Sequence, residues 1–212
     1  FFEHCGYKKD FGNNVMCWQR NGENDACELE AYKGLFSNLL SQESTDDYLF
    51  DEGVLRNVIS NANLEMLKNI RVRPLHRDDY KHGFLSLLEQ LTVVGGFTED
   101  EFKNRFQLMQ RSVLSRYFII VFQDPLTERI IGSGTLFVDL QTRCGRGHVE
   151  DIVVDVSMRS KGLGQFLNIA LLTMARQIGL HFVTLECKDK LVTFYQQFGY
   201  VKGGNFMVCR FD

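Results

Sequence analysis

The stretch with the most chemical content is Arg159-Ser160-Lys161-Gly162-Leu163-Gly164. It follows a short β-branched run, His148-Val149-Glu150-Asp151-Ile152-Val153-Val154. It precedes Leu163, Phe166, Leu167, Ala170, Leu171, Met174, Ala175 and Ile178, which recur at helical spacing up to Gly179. A strand, a glycine turn and a helix start in that order leave backbone N–H groups open at the positive end of a helix dipole. That is a site for phosphate or pyrophosphate. The dipole alone contributes only ~0.3–1 kcal/mol at an exposed surface, so several N–H bonds must act together. The spacing is neither the G-x-G-x-x-G of dinucleotide folds nor a P-loop, since no G-K-[ST] follows. Glu150 and Asp151 are neighbours in a strand, so regular alternation turns them to opposite faces and they do not form a carboxylate dyad. Arg210 stands between Cys209 and Phe211 in an expected strand, where a guanidinium needs an anion or solvent. His148 could act as a base or be a satisfied structural residue.

The elements that must position these residues follow from periodicity and turn chemistry. A short helix is expected from Asp51, with Val54, Leu55, Val58 and Ile59 on one side, then a strand from Ile70 to Leu75. Asp78 is a candidate N-cap for a helix carrying Tyr80, Phe84, Leu87, Leu88 and Leu91. Thr98-Glu99-Asp100-Glu101 is a capping box opening a second helix through Phe102, Phe106 and Met109. Tyr117 to Gln123 reads as a strand, Asp124 to Thr127 as a turn, Arg129 to Leu140 as a longer strand, and Tyr200 to Phe211 as the last one. The order is β-α-α-β-β-loop-β-α-β-α-β. It describes a mixed α/β (α+β) domain with a mostly antiparallel sheet flanked by helices.

Residues 1–49 differ in character. They hold nine acidic residues against four Lys/Arg, an excess of five negative charges in a chain of net −3, which leaves an excess of two positive charges for the rest. Gly12 to Asn24 is crowded with Asn, Gly and Glu and reads as loop, while Leu29 to Leu40 is weakly helical. These residues form an N-terminal extension without a chemical constellation, and residues 50–212 form the domain. The 212 residues, 44% apolar with 18 Phe, have room for one well-built core plus such an appendage. No apolar run approaches the ~18 residues of a membrane span, and no basic segment followed by an apolar one opens the chain. The slightly acidic balance argues against nucleic acid as the main partner. Cysteines 5, 17, 27, 144, 187 and 209 match no zinc spacing and read as reduced thiols of an intracellular, cytoplasmic protein. No metal is called for.

Two motifs in fixed order carry a resemblance. The R-x-x-G-x-G turn after a hydrophobic strand, followed by Phe194-Tyr195-Gln196-Gln197-Phe198-Gly199-Tyr200, resembles the acetyl-CoA pyrophosphate loop and the F-Y-x-x-x-G-F/Y segment of the GCN5-related N-acetyltransferase (GNAT) superfamily. Arg71-Val72-Arg73-Pro74-Leu75, Leu91-Thr92-x-x-Gly95, Val149 to Val154, Leu185-Glu186-Cys187 and Met207-Val208-Cys209-Arg210 extend it. From about residue 50 to the end the chain resembles, within that superfamily, the glucosamine 6-phosphate N-acetyltransferase family.

The resemblance implies a GNAT fold and acetyl transfer from acetyl-CoA to the 2-amino group of glucosamine 6-phosphate, feeding UDP-N-acetylglucosamine synthesis. It also implies a homodimer with an exchanged C-terminal strand. Carried over residue by residue, it gives Ile152, Val153 and Val154 to the pantetheine arm. It gives Ser160, Lys161, Gly162, Leu163, Gly164 and Gln165 to the pyrophosphate. Thr92, Glu150, Asp151 and Arg210 fall on sugar-phosphate positions, Glu186 lies beside the amine, and Tyr195 donates a proton to the departing thiolate. Where the family carries a Lys and a His for the sugar phosphate, this chain has Val138-Asp139-Leu140-Gln141-Thr142-Arg143, so either Arg143, Arg146 or His148 substitutes or the acceptor differs. Two other functions compete: a GNAT enzyme for another small amine, which the altered loop favours, and a catalytically silent acyl-CoA-binding subunit. Glu150, Tyr195 and Arg210 speak against the second.

Overall fold

The computed structural model describes residues 14–19, 47–59, 67–112, 115–139 and 146–205. In chain order these form β1 (Asn14–Gln19), α1 (Glu52–Ile59), β2 (Arg71–Pro74), α2 (Phe84–Leu88), α3 (Glu99–Arg111), β3 (Ser115–Gln123), β4 (Ile130–Asp139), β5 (Arg146–Val154), α4 (Leu163–Ile178), β6 (Phe182–Glu186), α5 (Val192–Gln196) and β7 (Val201–Asn205). The strands make one sheet in the order β2-β3-β4-β5-β6-β1-β7. Only β5 and β6 run parallel, as a strand–helix–strand crossover through α4 requires; every other neighbouring pair is antiparallel.

The core forms where α4 meets the sheet. Its apolar stripe of Leu163, Phe166, Leu167, Ala170, Leu171, Met174, Ala175 and Ile178 is buried as the spacing predicts, and Gly179 closes the helix at φ 84°. Gly134 of β4 lets the helix approach: a Cβ there would lie 3.1 Å from Leu171 Cδ1 and 3.6 Å from Leu167 Cδ2. Helices α2 and α4 both contact β4 and β5, so the strand that carries Glu150 is held by elements on either side of it in sequence. The Thr98–Glu101 capping box forms as expected at the start of α3.

Two expectations are corrected. The helix foreseen from Asp78 is confined to Phe84–Leu88. Residues 77–83 are turns because Asp79, fully buried, is committed to Arg73 at 2.7 and 2.8 Å and also accepts from the His76 backbone N–H. A carboxylate so placed satisfies a buried guanidinium, and the backbone around it follows that bond rather than the helical period. The second correction concerns Asn14–Gln19, expected to be loop. It is a strand inside the sheet, antiparallel to both β6 and β7. Val15 and Trp18 are strand-forming residues, and the strand's partners on β6 lie more than 160 positions away, beyond the reach of a local pattern. The weak helix at 29–40 and the end of the last strand, 206–211, lie outside the described residues.

Candidate active site

Between β4 and β5 the register runs Ser133 opposite Val153, then Thr135 opposite Glu150. Gly134 therefore spans both Asp151 and Ile152, which makes a β-bulge. Asp151 takes φ 53°, a left-handed conformation that Asp tolerates better than most residues. On its other edge β5 pairs with β6 only from Arg146 to Val149. Beyond that point residues 150–154 keep β4 but have no strand on the β6 side among the described residues. β6 meanwhile runs on to Glu186, which pairs with Val15 of β1. The two parallel strands thus part into a wedge, with Glu150 on one wall and Glu186 on the other. The unpaired backbone edge at Ile152, Val153 and Val154 is shaped to receive an extended ligand segment as an added strand.

The bulge also suspends the alternation that was to separate Glu150 from Asp151. Both side chains reach solvent, yet the protein around them removes enough water to push both carboxyls above the ordinary range. For Glu150 burial is the main cause, followed by the charges of Asp151 and Glu186. The structure therefore brings Glu150, Asp151 and Glu186 into one electrostatic group. Such a cluster attracts an ammonium and makes Glu150 a better proton acceptor than a free carboxylate.

Next to the wedge lies the glycine turn. Ser160 (φ 62°) and Gly162 (φ 79°) are both left-handed, and Gly162 precedes α4 with no side-chain cap on the helix. The first N–H groups of a 16-residue helix are thus left for a ligand. Asp155 Oδ1 accepts from the Ser157 N–H, and Arg159 Nε donates to the Val154 carbonyl at 3.0 Å, fixing the turn to the end of β5. Ser160, Lys161 and Gln165 are exposed, whereas the side chain of Leu163 is buried and offers only its backbone. A Cβ at Gly164 would meet nothing nearer than Val154 Cγ2 at 3.9 Å. The fold does not need that glycine; a ligand approaching the backbone would. Gly164→Val is accordingly expected to raise the KM for acetyl-CoA at least tenfold while the thermal midpoint stays within a few degrees. Equal affinity in the folded variant would remove the pyrophosphate role. Gly162→Val would not separate the two, because its φ is itself strained for valine.

Tyr195, on α5, is 8% exposed, with edge contacts to Phe194 (5.0 Å) and Tyr200 (5.8 Å). Burial, with a smaller contribution from the nearby Cys187, pushes its phenol up to about 12. Its hydroxyl has no hydrogen-bond partner among the described residues, so it is a protonated, uncommitted donor.

Other expected site residues are not assembled here. Thr92 lines an open depression of about 490 Å3 formed by its own segment, Glu89 to Gly95. Arg210 and Arg143 lie outside the described residues. Arg146, a candidate for the missing phosphate cation, is bound to Asp139 at 2.7 Å. One connecting residue was not foreseen: Gln90 donates to Asp155 Oδ2 (2.9 Å) and accepts from the Val156 N–H (3.0 Å). It ties the Thr92 segment to the cofactor turn, and a lone Gln at a helix end gives no sequence signal for this. Among the described residues no cluster of His, Cys, Asp and Glu is arranged to hold a metal ion, and no helix is long and apolar enough to cross a membrane.

The profile of the Acetyltransferase (GNAT) family matches residues 71–200. A protein of Drosophila melanogaster described as a probable glucosamine 6-phosphate N-acetyltransferase is 38% identical over 149 residues, 68% of this chain and 67% of that one. Glucosamine 6-phosphate N-acetyltransferase 1 of Oryza sativa is 37% identical over 135 residues, 62% of this chain and 81% of its own length. The crystal structure of glucosamine-6-phosphate N-acetyltransferase from Arabidopsis thaliana superposes with a TM-score of 0.63 at 30% identity, covering 68% of this chain and 99% of that one.

Proposed function

The chain belongs to the Acetyltransferase (GNAT) family and, within it, to the glucosamine 6-phosphate N-acetyltransferases, and from that premise we propose how its own residues carry the reaction. It is an acyltransferase that moves the acetyl group of acetyl-CoA to the 2-amino group of glucosamine 6-phosphate, a step toward UDP-N-acetylglucosamine. The observation that carries the assignment of roles is the wedge between β5 and β6. One of its walls is an open backbone edge running to an uncapped helix start, and its mouth is a carboxylate group that favours an ammonium.

Ile152, Val153 and Val154 bond the pantetheine arm along the open edge. The backbone from Ser160 to Gln165, with Lys161, holds the pyrophosphate. Glu150 and Glu186 receive the amine from the two walls, Asp151 and Thr92 orient the sugar, and Arg210 binds its phosphate. Tyr195 hydrogen-bonds the sulfur as it leaves, and a backbone N–H at the Asp151 bulge serves the oxyanion. A homodimer with an exchanged C-terminal strand fits the same reading. It is supported by β7, which is the last strand of the sheet and leads straight into residues 206–212; an edge strand is a ready template for a second chain. Use of acetyl-CoA and an amino-sugar phosphate supports a site of action inside the cell, in the cytoplasm.

A second reading, another small amine as acceptor, rests on the loop after β4. That loop lacks the family's Lys and His, and Arg146 is already paired with Asp139. Turnover of acetyl-CoA with glucosamine 6-phosphate, glucosamine and a panel of small amines decides between them. The phosphorylated sugar is expected to lead by at least tenfold in kcat/KM. Arg210→Ala is expected to erase that lead, a loss of roughly 1.5–3 kcal/mol for a charged hydrogen bond. Equal rates with and without the phosphate would overturn the sugar-phosphate assignment and favour the second reading.

A further inference from the structure

His148 sits on β5 two residues before Glu150, on the same face of the strand. It is paired across the parallel ladder with Thr184, which stands two residues before Glu186 on β6. The four side chains therefore mark a rectangle. His148 and Thr184 occupy the closed end of the wedge, where the strands still pair, and Glu150 and Glu186 occupy the open end. Alternate residues of a strand are roughly 6.8 Å apart, so an amine held between the two carboxylates lies one residue pair away from the imidazole, a gap that the side chains and one water can bridge.

The hydrogen bonds accommodate the tautomer that a base requires. With Thr184 Oγ1 donating to the Gly147 carbonyl at 3.4 Å, its lone pair accepts Nδ1–H from His148 at 2.8 Å. In that arrangement the proton of the neutral ring is on Nδ1 and the lone pair on Nε2. Burial holds the ring below the ordinary histidine range, opposed by Glu186 on β6 and assisted by Arg146 on β5 itself. The facing position on β4 is Phe137, which carries no charge. These surroundings favour the neutral ring at pH 7.

We propose that His148 is the base that removes the proton from the acceptor ammonium. This rests on the reading of the chain as an amine acetyltransferase. The ammonium, held by Glu150 and Glu186, gives one proton to Nε2, and the freed nitrogen pair forms the C–N bond as the thioester π pair moves onto oxygen. Collapse breaks C–S, and the nitrogen's second proton accounts for the thiol. Imidazolium then returns the first proton to solvent, so the sum is amide, free thiol and one proton released. The carboxylates hold the cation, and the neutral imidazole takes the proton and passes it to solvent.

The test is kcat/KM for glucosamine 6-phosphate against pH in the full chain and in His148→Asn, which keeps a donor to Thr184 and removes the base. The variant is expected to lose roughly a hundredfold at pH 7 with the KM for acetyl-CoA unchanged. The deficit should shrink above the pKa of the amine, where solvent has already deprotonated it. A variant profile that follows the parent in height and shape overturns the proposal. Nitrogen-15 NMR of the parent's imidazole, in the absence of substrate, adds a readout independent of turnover. An unprotonated Nε2 at pH 7 is expected, and a protonated one overturns the role. A parent that shows the expected tautomer but no turnover of any amine would instead defeat the functional reading above.

Discussion

Tyr195→Phe is expected to lower kcat roughly ten- to a hundredfold while acetyl-CoA binding changes little. The ring is 8% exposed and wedged against Phe194 and Tyr200, and phenylalanine preserves that packing, so only the donor is lost. Its contribution follows from its acidity. With the phenol pushed up to about 12 by burial, passing its proton completely to a CoA thiolate, whose thiol has a pKa near 8.5, is uphill by roughly 5 kcal/mol. Tyr195 therefore does not act as a free-standing acid. It acts as a hydrogen-bond donor to sulfur as negative charge develops there, and a bond to a charged group contributes about 1.5–3 kcal/mol, which sets the expected range. Because that bond is made mainly in the transition state, the loss falls on kcat rather than on KM. The same shift means that deprotonation of Tyr195 puts no limb on the rate profile below about pH 11. Wild-type kcat in the phenylalanine variant would make Tyr195 a packing residue, and the thiolate would leave unaided.

What could be read in the sequence and what could not divide along a physical line. Helix α4 was legible because a single-face apolar period and a terminal glycine are local signals, and the Thr98–Glu101 box needs only four residues. The phosphate turn was legible for the same reason. The features that turn these parts into a candidate site are set by pairing between distant strands. The bulge at Asp151 exists because Ser133 and Thr135 take partners three residues apart on β5, a relation that neither strand carries alone. Its only local trace is an acidic pair interrupting a β-branched run. The wedge exists because β5 and β6 stop pairing after Val149. Likewise, the helix expected from Asp78 gave way to a buried ion pair between Asp79 and Arg73, which periodicity does not register. Tyr195 was reached through the F-Y-x-x-x-G-Y pattern; its burial, and a hydroxyl without a partner among the described residues, come only from the fold.

The N-terminal strand carries the last prediction. Residues 1–49 contain no catalytic constellation, which by itself makes them dispensable for chemistry. The sheet argues the other way: β1 fills the position between β6 and β7, and β7 has no other strand partner among the described residues. Removing β1 strips the hydrogen-bond ladder from β6, including the partner of Glu186, and leaves β7 unattached. A ladder bond contributes about 0.5–1.5 kcal/mol net, so losing two ladders costs on the order of 3 kcal/mol or more. For a chain of this length that is roughly 6–12 °C in the thermal midpoint. Deleting residues 1–49 is expected to lower the midpoint by at least that much and to reduce turnover, because one wall of the wedge loses its support. Met16→Pro gives the same test without shortening the chain. Proline in a doubly paired strand removes a donor and does not fit the ladder, so differential scanning calorimetry should show a comparable fall. If both variants melt and turn over like the parent, β1 does not hold the sheet in solution, and the place between β6 and β7 is filled by another strand.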